Sequence, residues 1–310
     1  MKKTMKMLVA AVAALSLVGA LAGCSNKGGS AKSGKVKIAL ITMDSTDQHW
    51  VNMDKGAKAE AKKLGADLIW RAPDKKDDSQ QIERINNVTS ENVDAIMIAA
   101  NSANSVTSAL EEAKNQGIKL VYVDSPANTK AVATFATNNY NGGKEAAETM
   151  VQQLKAKGIT KGDIGIVNFN AAATTATERE KGFRAGMKGT AYKVLATQYS
   201  DGDASKSQDF GDNFISNGAV GLFGANEGCT VGVGNAIKSS GKMIIGIGFD
   251  KSDAILNLVK DGSLYATVTQ NPDKMGKLGV EAAVDAVKGK KIKNANVDTG
   301  VKIMTKKDIK

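Results

Sequence analysis

Residues 36–64 read VKIALITMDSTDQHWVNMDKGAKAEAKKL, and this stretch predicts a β-strand followed by an α-helix. The strand is the short apolar run 36–42, which ends where polar residues begin. The helix is indicated by apolar residues that recur at the spacing of one helical face: Met53, Ala57, Ala61 and Leu64. A second strand is expected at 67–71, so the sequence begins with alternating strand and helix.

The same alternation continues along the rest of the chain. Further strands are expected at 95–99, 120–123, 131–136, 163–169, 192–198, 219–223, 243–248, 264–269 and 299–304. Helices are expected at 78–90, 103–116, around 147–154, 175–188, 203–216 and 272–288, and also between the strands 219–223, 243–248 and 264–269. Apolar strands that alternate with helices predict parallel sheets covered on both faces. Because so many strands exceed one compact open sheet of this kind, we expect two α/β domains.

The composition is that of a folded protein. Of 310 residues, 42% are hydrophobic and 24% are charged, which excludes a disordered, collagen-like or coiled-coil chain. The formal net charge is +10, and three of the lysines behind it lie within residues 1–23. The remaining lysines are scattered along the sequence. We therefore interpret them as a solvated surface and expect no nucleic-acid partner.

The N-terminal segment predicts export from the cytoplasm. Lysines precede an apolar run, 7–23, which is short for an ordinary transmembrane anchor. The run ends in Leu-Ala-Gly-Cys at positions 21–24, which resembles the lipobox of bacterial lipoproteins. This resemblance implies a signal peptide over 1–23, lipid on the thiol of Cys24, and a flexible Gly/Ser/Lys tether over 24–35. We therefore expect a protein anchored by lipid to the outer face of the cell membrane, or located in the periplasm.

Side chains able to form hydrogen bonds follow nearly every predicted strand. They are Asp44, Asp47, Gln48, His49, Trp50, Asn101, Asp124, Ser125, Asn170, Asn226, Glu227, Asp250 and Gln270. In open α/β sheets, ligands bind beyond the carboxyl ends of the strands, so we expect these side chains to meet. Carboxylates and amides beside an aromatic ring suit a polyhydroxylated ligand, because the ring covers its apolar C–H face. Each Asp or Asn alone could instead be a helix cap.

From residue 36 to about residue 303 the sequence resembles the type I periplasmic substrate-binding proteins, in their ribose-binding branch. The segments that carry the resemblance are VKIALITMDSTDQHWVNMDKGAKAEAKKLG, LVYVDS, FATNNYNGG, TEREKGF, LFGAN, GIGFD and ATVTQNPDKMG. The resemblance implies two Rossmann-like α/β lobes with parallel sheets, joined by a three-strand hinge. Such lobes close on a small ligand and deliver it to an ABC permease. The implied lobes are 36–138 plus 271–298 and 139–270 plus 299–310, with crossings near 137–140, 268–272 and 297–302.

The resemblance also implies which residues bind the ligand. Carried over position by position, they are Asp47, His49, Trp50, Asp124, Arg179, Asn226, Asp250 and Gln270. The sequence departs from the ribose-binding pattern where hydrogen-bonding or aromatic side chains are usual, at Met43, Ala99-Ala100, Ser125 and Gly202. We therefore predict a small neutral sugar or polyol of the pentose or hexose class and do not name ribose as the cargo. The expected protein is a monomer that requires no cofactor and no metal.

Two residues and one loop have alternative interpretations. Trp50 could belong to the core instead of stacking on a ligand. His49, the only histidine of the chain, could lie at the rim of the site. Residues 201–212 superficially resemble a calcium loop, but Lys206 replaces the glycine that such a loop requires. We expect a capped helix start there instead.

Two other functions remain as alternatives to transport. The protein could be a receptor for a furanone quorum signal or a chemotaxis ligand and present it to a chemoreceptor. It could also be a secreted glycoside-processing enzyme, with Asp124 and Asp250 as acid and nucleophile. The sequence contains no GxSxG, Walker or HExxH motif, which favours a binding protein. Cys229, the only cysteine besides Cys24, is expected to be a packed residue without a disulfide partner.

Overall fold

Two β-sheets with helices on their faces make up the part of the chain that the computed structural model describes, residues 34–309. The described residues belong to one compact unit. The predicted signal peptide, the predicted lipidation site Cys24 and the tether as far as residue 33 lie outside the described residues. Within residues 34–309, no helix combines the length and the apolar composition that a membrane span requires.

The first sheet has six strands, all of them parallel. In chain order they are β1 (Lys37–Ile41), β2 (Asp67–Arg71), β3 (Ala95–Ile98), β4 (Lys119–Val123), β5 (Ala133–Ala136) and β12 (Asn296–Asp298). Their order across the sheet is β12-β5-β4-β3-β1-β2. The inner strands β1, β3 and β4 are buried on both faces, which is why each is a continuous apolar run in the sequence.

The second sheet has seven strands and one antiparallel edge. The strands are β6 (Gly162–Asn168), β7 (Tyr192–Val194), β8 (Gln198–Tyr199), β9 (Ala219–Gly224), β10 (Ile245–Phe249), β11 (Ala266–Thr269) and β13 (Lys302–Thr305). Their order is β13-β11-β10-β9-β6-β7, and β8 also pairs with β6. The expectation of purely parallel sheets is wrong at β13. Because β13 follows β12 after a short connection, it enters at the carboxyl end of β11, where Lys302 pairs with Thr269.

The helices cover the faces of the sheets. They are α1 (Gln48–Leu64), α2 (Asp78–Ser90), α3 (Thr107–Asn115), α4 (Asn139–Ala156), α5 (Thr174–Met187), α6 (Ala204–Ser216), α7 (Glu227–Ser240), α8 (Asp253–Asp261) and α9 (Pro272–Val287), with a final 3₁₀ turn at Lys306–Asp308. Helix α1 packs against α9, which also contacts β3, β4 and β5 of the first sheet. Helix α4 packs against α5 and contacts β10 and β11 of the second sheet. Pro272 lies in the first turn of α9, as its position in the sequence predicts.

The predicted strand 192–198 is interrupted in the structure. It forms β7 and β8, each paired with a different part of β6. Between them, Arg184 Nη2 donates to the carbonyl oxygen of Leu195 at 3.0 Å and to Thr197 Oγ1 at 2.9 Å. These hydrogen bonds from α5 replace the ladder bonds that a continuous strand would make.

Two other elements differ from the sequence-based expectation. The predicted helix 103–116 begins only at Thr107, because Ser102 Oγ accepts a hydrogen bond from the amide of Ser105 at 3.2 Å and forms a turn. The predicted strand 299–304 is shifted to β13, and the residues before β13 form the connection from β12.

The chain passes between the two sheets at three places, each of them after a strand. The connections are 137–138 between β5 and α4, 270–271 between β11 and α9, and 299–301 between β12 and β13. All three leave a sheet at the carboxyl end of a strand. The carboxyl ends of both sheets therefore face the same cleft.

Candidate functional site

A small cavity lies between the carboxyl ends of the two sheets. It is lined by Met43, Asp47, His49, Trp50, Lys76, Asp124, Phe169, Thr175, Arg179, Asn226, Asp250 and Gln270. Every residue that the sequence resemblance pointed to lies on this lining. The structure thus brings these residues together, and their contacts with a ligand stay predictions.

Asp124 and Asp250 occupy equivalent positions in the two sheets. Each follows a central strand, β4 or β10, and each has a left-handed backbone, with φ of 67° and 78° respectively. Their amides donate to the neighbouring strands, to Phe135 at 2.9 Å and to Val268 at 2.8 Å. Because this conformation is unfavourable for residues other than glycine, the surrounding strands must hold both carboxylates in place.

His49 lies between these two carboxylates rather than at the rim. Its Nε2 is 3.1 Å from Asp124 Oδ2, and its Nδ1 is 3.6 Å from Asp250 Oδ1. Burial alone would lower the pKa of His49, but the hydrogen bond and charge of Asp124 and the charge of Asp250 raise it above its ordinary value. Burial acts to raise the pKa of Asp124, yet His49 and Arg179 hold it below its usual value. A charged imidazolium between two carboxylates is therefore the favoured state.

Trp50 is both buried and part of the cavity wall. Only 4% of its surface is exposed, and its Nε1 donates to Asp44 Oδ2 at 2.9 Å. Its ring meets the His49 ring edge to face, with 4.6 Å between the ring centroids. The indole is thus buried like a core residue and also lines the cavity, and its stacking on a ligand stays a prediction.

Arg179 is held rigidly by its surroundings on α5. Its Nε donates to Asn139 Oδ1 at 2.7 Å, and its Nη1 donates to the carbonyl oxygen of Ala225 at 2.8 Å. The guanidinium carbon lies 3.9 Å from the centroid of the Phe249 ring. Helices α4 and α5 approach closely, since a Cβ atom on Gly143 would lie 2.0 Å from the carbonyl oxygen of Arg179. A glycine is therefore needed where α4 meets the arginine.

Asn226 and Gln270 each combine a structural contact with a place on the cavity. Asn226 is the N-cap of α7, and its Oδ1 accepts a hydrogen bond from the amide of Cys229 at 3.1 Å. Gln270 lies in a connection between the sheets, and its Nε2 donates to Asp250 Oδ1 at 2.5 Å. Among the described residues, Gln270 Oε1 is one of the buried side-chain atoms without a hydrogen-bond partner. Such atoms are available to a ligand that carries hydroxyl groups.

Lys76 is a cavity residue that the sequence interpretation missed. It lies in the loop between β2 and α2, and only 6% of its side chain is exposed. Its Nζ is 2.6 Å from Asp44 Oδ2 and 2.8 Å from Asp47 Oδ2. Burial would lower the pKa of Lys76, but the two carboxylates raise it. Nothing in the sequence distinguishes Lys76 from the many surface lysines, because its partners are set by the fold.

The carboxylate of Glu227 joins the two sides of the cavity. It is the first residue of α7, and it accepts hydrogen bonds from the amides of Gln48 at 3.0 Å and His49 at 3.2 Å, at the start of α1. Burial and the charge of Asp47 raise the pKa of Glu227 to about 7. A carboxylate at a helix N-terminus satisfies amides that have no partner within the helix. The sequence interpretation named Glu227 only as a residue after a strand.

The loop 201–212 forms a helix start. Asp203 Oδ1 accepts a hydrogen bond from the amide of Lys206 at 2.7 Å, which makes Asp203 the N-cap of α6. Within residues 34–309, no group of three or more His, Cys, Asp or Glu side chains is placed to hold a metal ion. Cys229 is buried, and burial raises its thiol pKa to about 11, so the unreactive thiol form is favoured.

Comparison with known proteins places this chain beside sugar-binding transport proteins. Residues 38–291 match the family model described as a periplasmic binding protein domain. The ribose import binding protein of Bacillus subtilis (strain 168) is 30% identical over 98% of this chain and 100% of its own length. The D-allose-binding periplasmic protein of Escherichia coli (strain K12) is 27% identical over 83% of this chain and 86% of its own length. A carbohydrate transporter solute-binding protein from Agrobacterium radiobacter, solved with D-arabinose, superposes with a TM-score of 0.85 at 29% identity, covering 89% of this chain and 96% of that one.

Proposed function

The chain belongs to the periplasmic binding proteins, in the ribose-binding branch of type I, and on this basis we propose that it captures a small neutral sugar or polyol for an ABC permease. The observation that carries the proposal is the cavity in which carboxylates, amides and an arginine from both sheets surround an indole ring. Relatives named for ribose and allose, and a similar structure solved with D-arabinose, support a cargo of the pentose or hexose class. The protein acts by binding and is not an enzyme.

The cavity chemistry suits a monosaccharide. Asp124 and Asp250 can each accept hydrogen bonds from two hydroxyl groups, and Arg179 has donors that its protein contacts leave unused. The Trp50 ring supplies an apolar surface for the C–H face of a sugar. The cavity is small and is closed in by residues from both sheets. One sugar ring fits such a space better than an oligosaccharide does.

The charges on the cavity lining favour a neutral cargo. Asp47, Asp124 and Asp250 face the cations Lys76 and Arg179, and the raised pKa of His49 adds a third positive charge. The lining is therefore close to neutral. A sugar phosphate would require a surplus of cations, which this set does not supply.

Capture is expected to proceed by closure of the two lobes. Groups on the first sheet and groups on the second sheet can contact one ligand together only when the cleft is closed, so a ligand shifts the population toward the closed form. The permease then binds the surface of the closed form. The domain division 36–138 plus 271–298 and 139–270 plus 299–310 belongs to this proposal.

The proposed setting is the outer surface of the cell. The periplasmic binding protein family places the protein outside the cytoplasm. Lipid on Cys24 would hold the protein to the membrane, and the tether would let a monomer move between ligand and permease. Docking of a chemoreceptor on the same closed form is an extension of this proposal.

The test is thermal melting of the chain from residue 25, which contains the whole compact unit, against a ligand panel. The protein is unfolded and refolded first, so that any co-purified ligand is removed. A ligand at a thousand times its dissociation constant adds about 4 kcal/mol to the free energy of unfolding, which raises the melting temperature by several degrees. We expect one sharp response among pentoses, hexoses, deoxysugars and polyols.

Three other outcomes would contradict the proposal. A response only to a furanone signal would replace transport by signalling. Turnover of a glycoside by the purified protein would favour an enzyme. No response to any sugar or polyol would overturn the proposed function.

A further inference from the structure

Lys76 presents a fixed positive charge to the cavity. Its ammonium group has three hydrogen-bond donors, and two of them are directed to carboxylates, Asp44 Oδ2 at 2.6 Å and Asp47 Oδ2 at 2.8 Å. Among the described residues, the third donor has no acceptor at hydrogen-bond distance. Two anchoring carboxylates and a side chain that is only 6% exposed hold the nitrogen at one point.

Lys76 supplies the positive charge beside Asp44 and Asp47, while neutral groups supply the other hydrogen bonds to Asp44. Asp44 Oδ1 already accepts three hydrogen bonds, from the amide and hydroxyl of Thr46 and from the amide of Asp47. Its Oδ2 also accepts the indole donor of Trp50. The Asp44 carboxylate is thus satisfied by its own loop and helix. The lysine, which comes from a different loop, is placed on the cavity lining.

The backbone of Gly202, next to the cavity, lies close to this ammonium group. Gly202 precedes α6 and has a left-handed backbone with φ of 80°. A Cβ atom there would lie 3.0 Å from Lys76 Nζ and 3.2 Å from Asn226 Nδ2. The two nitrogen atoms are therefore within about 6 Å of each other. A ligand oxygen that lies beside Gly202, on the cavity side of the two nitrogen atoms, could accept a hydrogen bond from both.

Asn226 supplies the second donor from the second sheet. Its Oδ1 is occupied by the amide of Cys229, which fixes the amide orientation and leaves Nδ2 as the group that faces Lys76 near Gly202. Nδ2 has no acceptor among the described residues. Lys76 Nζ from one side of the cleft and Asn226 Nδ2 from the other thus both lie near Gly202, and each has an unpaired donor.

Resting on the sugar binding proposed above, we propose that Lys76 is a specificity-determining residue. Together with Asn226 it forms a donor pair that requires a ligand oxygen at the Gly202 end of the cavity. The cargo is therefore a sugar or polyol that carries a hydroxyl group at the position facing Gly202. The analogue that is deoxy at this position is rejected, because it would leave two donors on the cavity lining without an acceptor.

The experiment is a comparison of Lys76→Met with the matched control Lys75→Met, which changes an exposed neighbour. Calorimetry measures the affinity for the sugar that gives the strongest thermal shift and for its monodeoxy analogues at each position. In the wild type, one deoxy analogue is expected to bind on the order of 10- to 100-fold more weakly than the parent sugar, the effect of losing a charged donor. Lys76→Met should lose affinity for the parent sugar by a similar factor. It should no longer distinguish the parent sugar from that deoxy analogue.

The pattern over the analogues separates specificity from a structural role. If Lys76 only supports the fold, the variant loses the same factor for every sugar and keeps its discrimination, which would overturn the inference alone. If the wild type binds no sugar, the proposed function itself fails. Lys75→Met is expected to match the wild type throughout.

A second variant keeps the result interpretable if Lys76→Met is unstable. Asn226→Asp preserves the side-chain oxygen that caps α7 and removes the Nδ2 donor. It should lose discrimination against the same deoxy analogue as the lysine variant. If Asn226→Asp instead loses discrimination against the analogue that is deoxy at a different ring position, the two donors do not bind the same oxygen. That result would contradict the proposed donor pair.

Discussion

At the residue scale, the left-handed backbones of Asp124 and Asp250 set the direction of their carboxylates. Both have left-handed backbones directly after a buried strand, where the conformation is unfavourable for a side chain with a Cβ atom. Aspartate tolerates this region better than most residues, and the next strand in each sheet accepts its amide hydrogen bond. The fold thus directs one carboxylate from each sheet toward His49.

Asp250→Asn is expected to weaken ligand binding strongly and leave the fold intact. Asparagine also tolerates the left-handed backbone, so the melting temperature without ligand should change by only a few degrees. Loss of the charged acceptor should weaken sugar binding by at least tenfold, measured by calorimetry. Asp201→Asn is the control, because Asp201 has a similar φ of 58° and lies outside the cavity. Retained affinity in Asp250→Asn would remove this residue from the site.

His49 is expected to make stability depend on pH. Its pKa in the folded protein is raised by Asp124 and Asp250 against the effects of burial and of Arg179. The stabilisation is therefore fully present below about pH 6.5, the ordinary pKa, and is lost as pH rises through the raised value. The difference in melting temperature between the wild type and His49→Gln should be larger at acidic than at alkaline pH. An unchanged difference would show that His49 has no raised pKa.

At the scale of elements, α7 and α1 meet end to end through one side chain. Glu227 at the start of α7 accepts hydrogen bonds from the first two amides of α1, which belongs to the other side of the cleft. Both helix N-termini carry partial positive charge, which offsets part of the cost of burying this carboxyl group near Asp47. The contact exists only when the two sides are close together.

Glu227→Gln is expected to weaken ligand binding and its pH dependence. Glutamine offers one acceptor oxygen where the carboxylate offers two, so affinity should fall roughly five- to tenfold for the loss of about 1 kcal/mol. Burial and, from the other side of the cleft, the charge of Asp47 raise the pKa of Glu227 to about 7 in this closed arrangement, so closure is expected to take up a proton. Through Glu227, binding should therefore be favoured at low pH and weaken as pH rises through about 7.

Calorimetry between pH 5 and 8 measures both effects. The pH dependence should be smaller in Glu227→Gln than in the wild type. Glu145→Gln, at an exposed position on α4, is the control and should behave as the wild type does. A glutamine variant with wild-type affinity at every pH would show that this contact does not contribute to closure.

At the scale of the whole molecule, only three chain connections within residues 34–309 join the two sheets, each at the carboxyl end of a strand. We therefore expect the two sides of the molecule to move relative to each other at the cleft. The cavity depends on groups from both sides of that cleft. Binding and closure are therefore coupled, because each bridging contact stabilises only the closed form.

Ligand is expected to slow hydrogen exchange at the amides of Gln48 and His49. In the closed arrangement both amides donate to Glu227, and opening exposes them to solvent. Exchange followed by mass spectrometry should show protection of the peptide that spans the start of α1 when the sugar is added. A buried strand such as β3 is the internal reference and should not change. Equal protection with and without sugar would contradict ligand-induced closure.

Much of the fold could be predicted from the sequence, because it depends on local patterns. The helix 78–90 begins and ends where the sequence predicts, and β2 matches its predicted range 67–71. The cavity residues after the strands could also be anticipated, since parallel strands bring their carboxyl ends to one edge. The boundaries of the two lobes and the lipid on Cys24 stay predictions.

What the sequence determined by itself is the alternation of buried strands and amphipathic helices, the positions of Asp124 and Asp250, and the family of the chain. Hydrophobic periodicity and strand-end residues are local, so they can be read without knowing the fold. Only the tertiary structure decided the antiparallel entry of β13, the placement of Lys76 beside Asp44 and Asp47, and the contact of Glu227 with α1. The contacts of Lys76 and Glu227 join residues far apart in the chain, 179 positions in the case of Glu227 and Gln48. No short-range pattern encodes such pairs, because their geometry arises only when both sheets are folded and the cleft is closed.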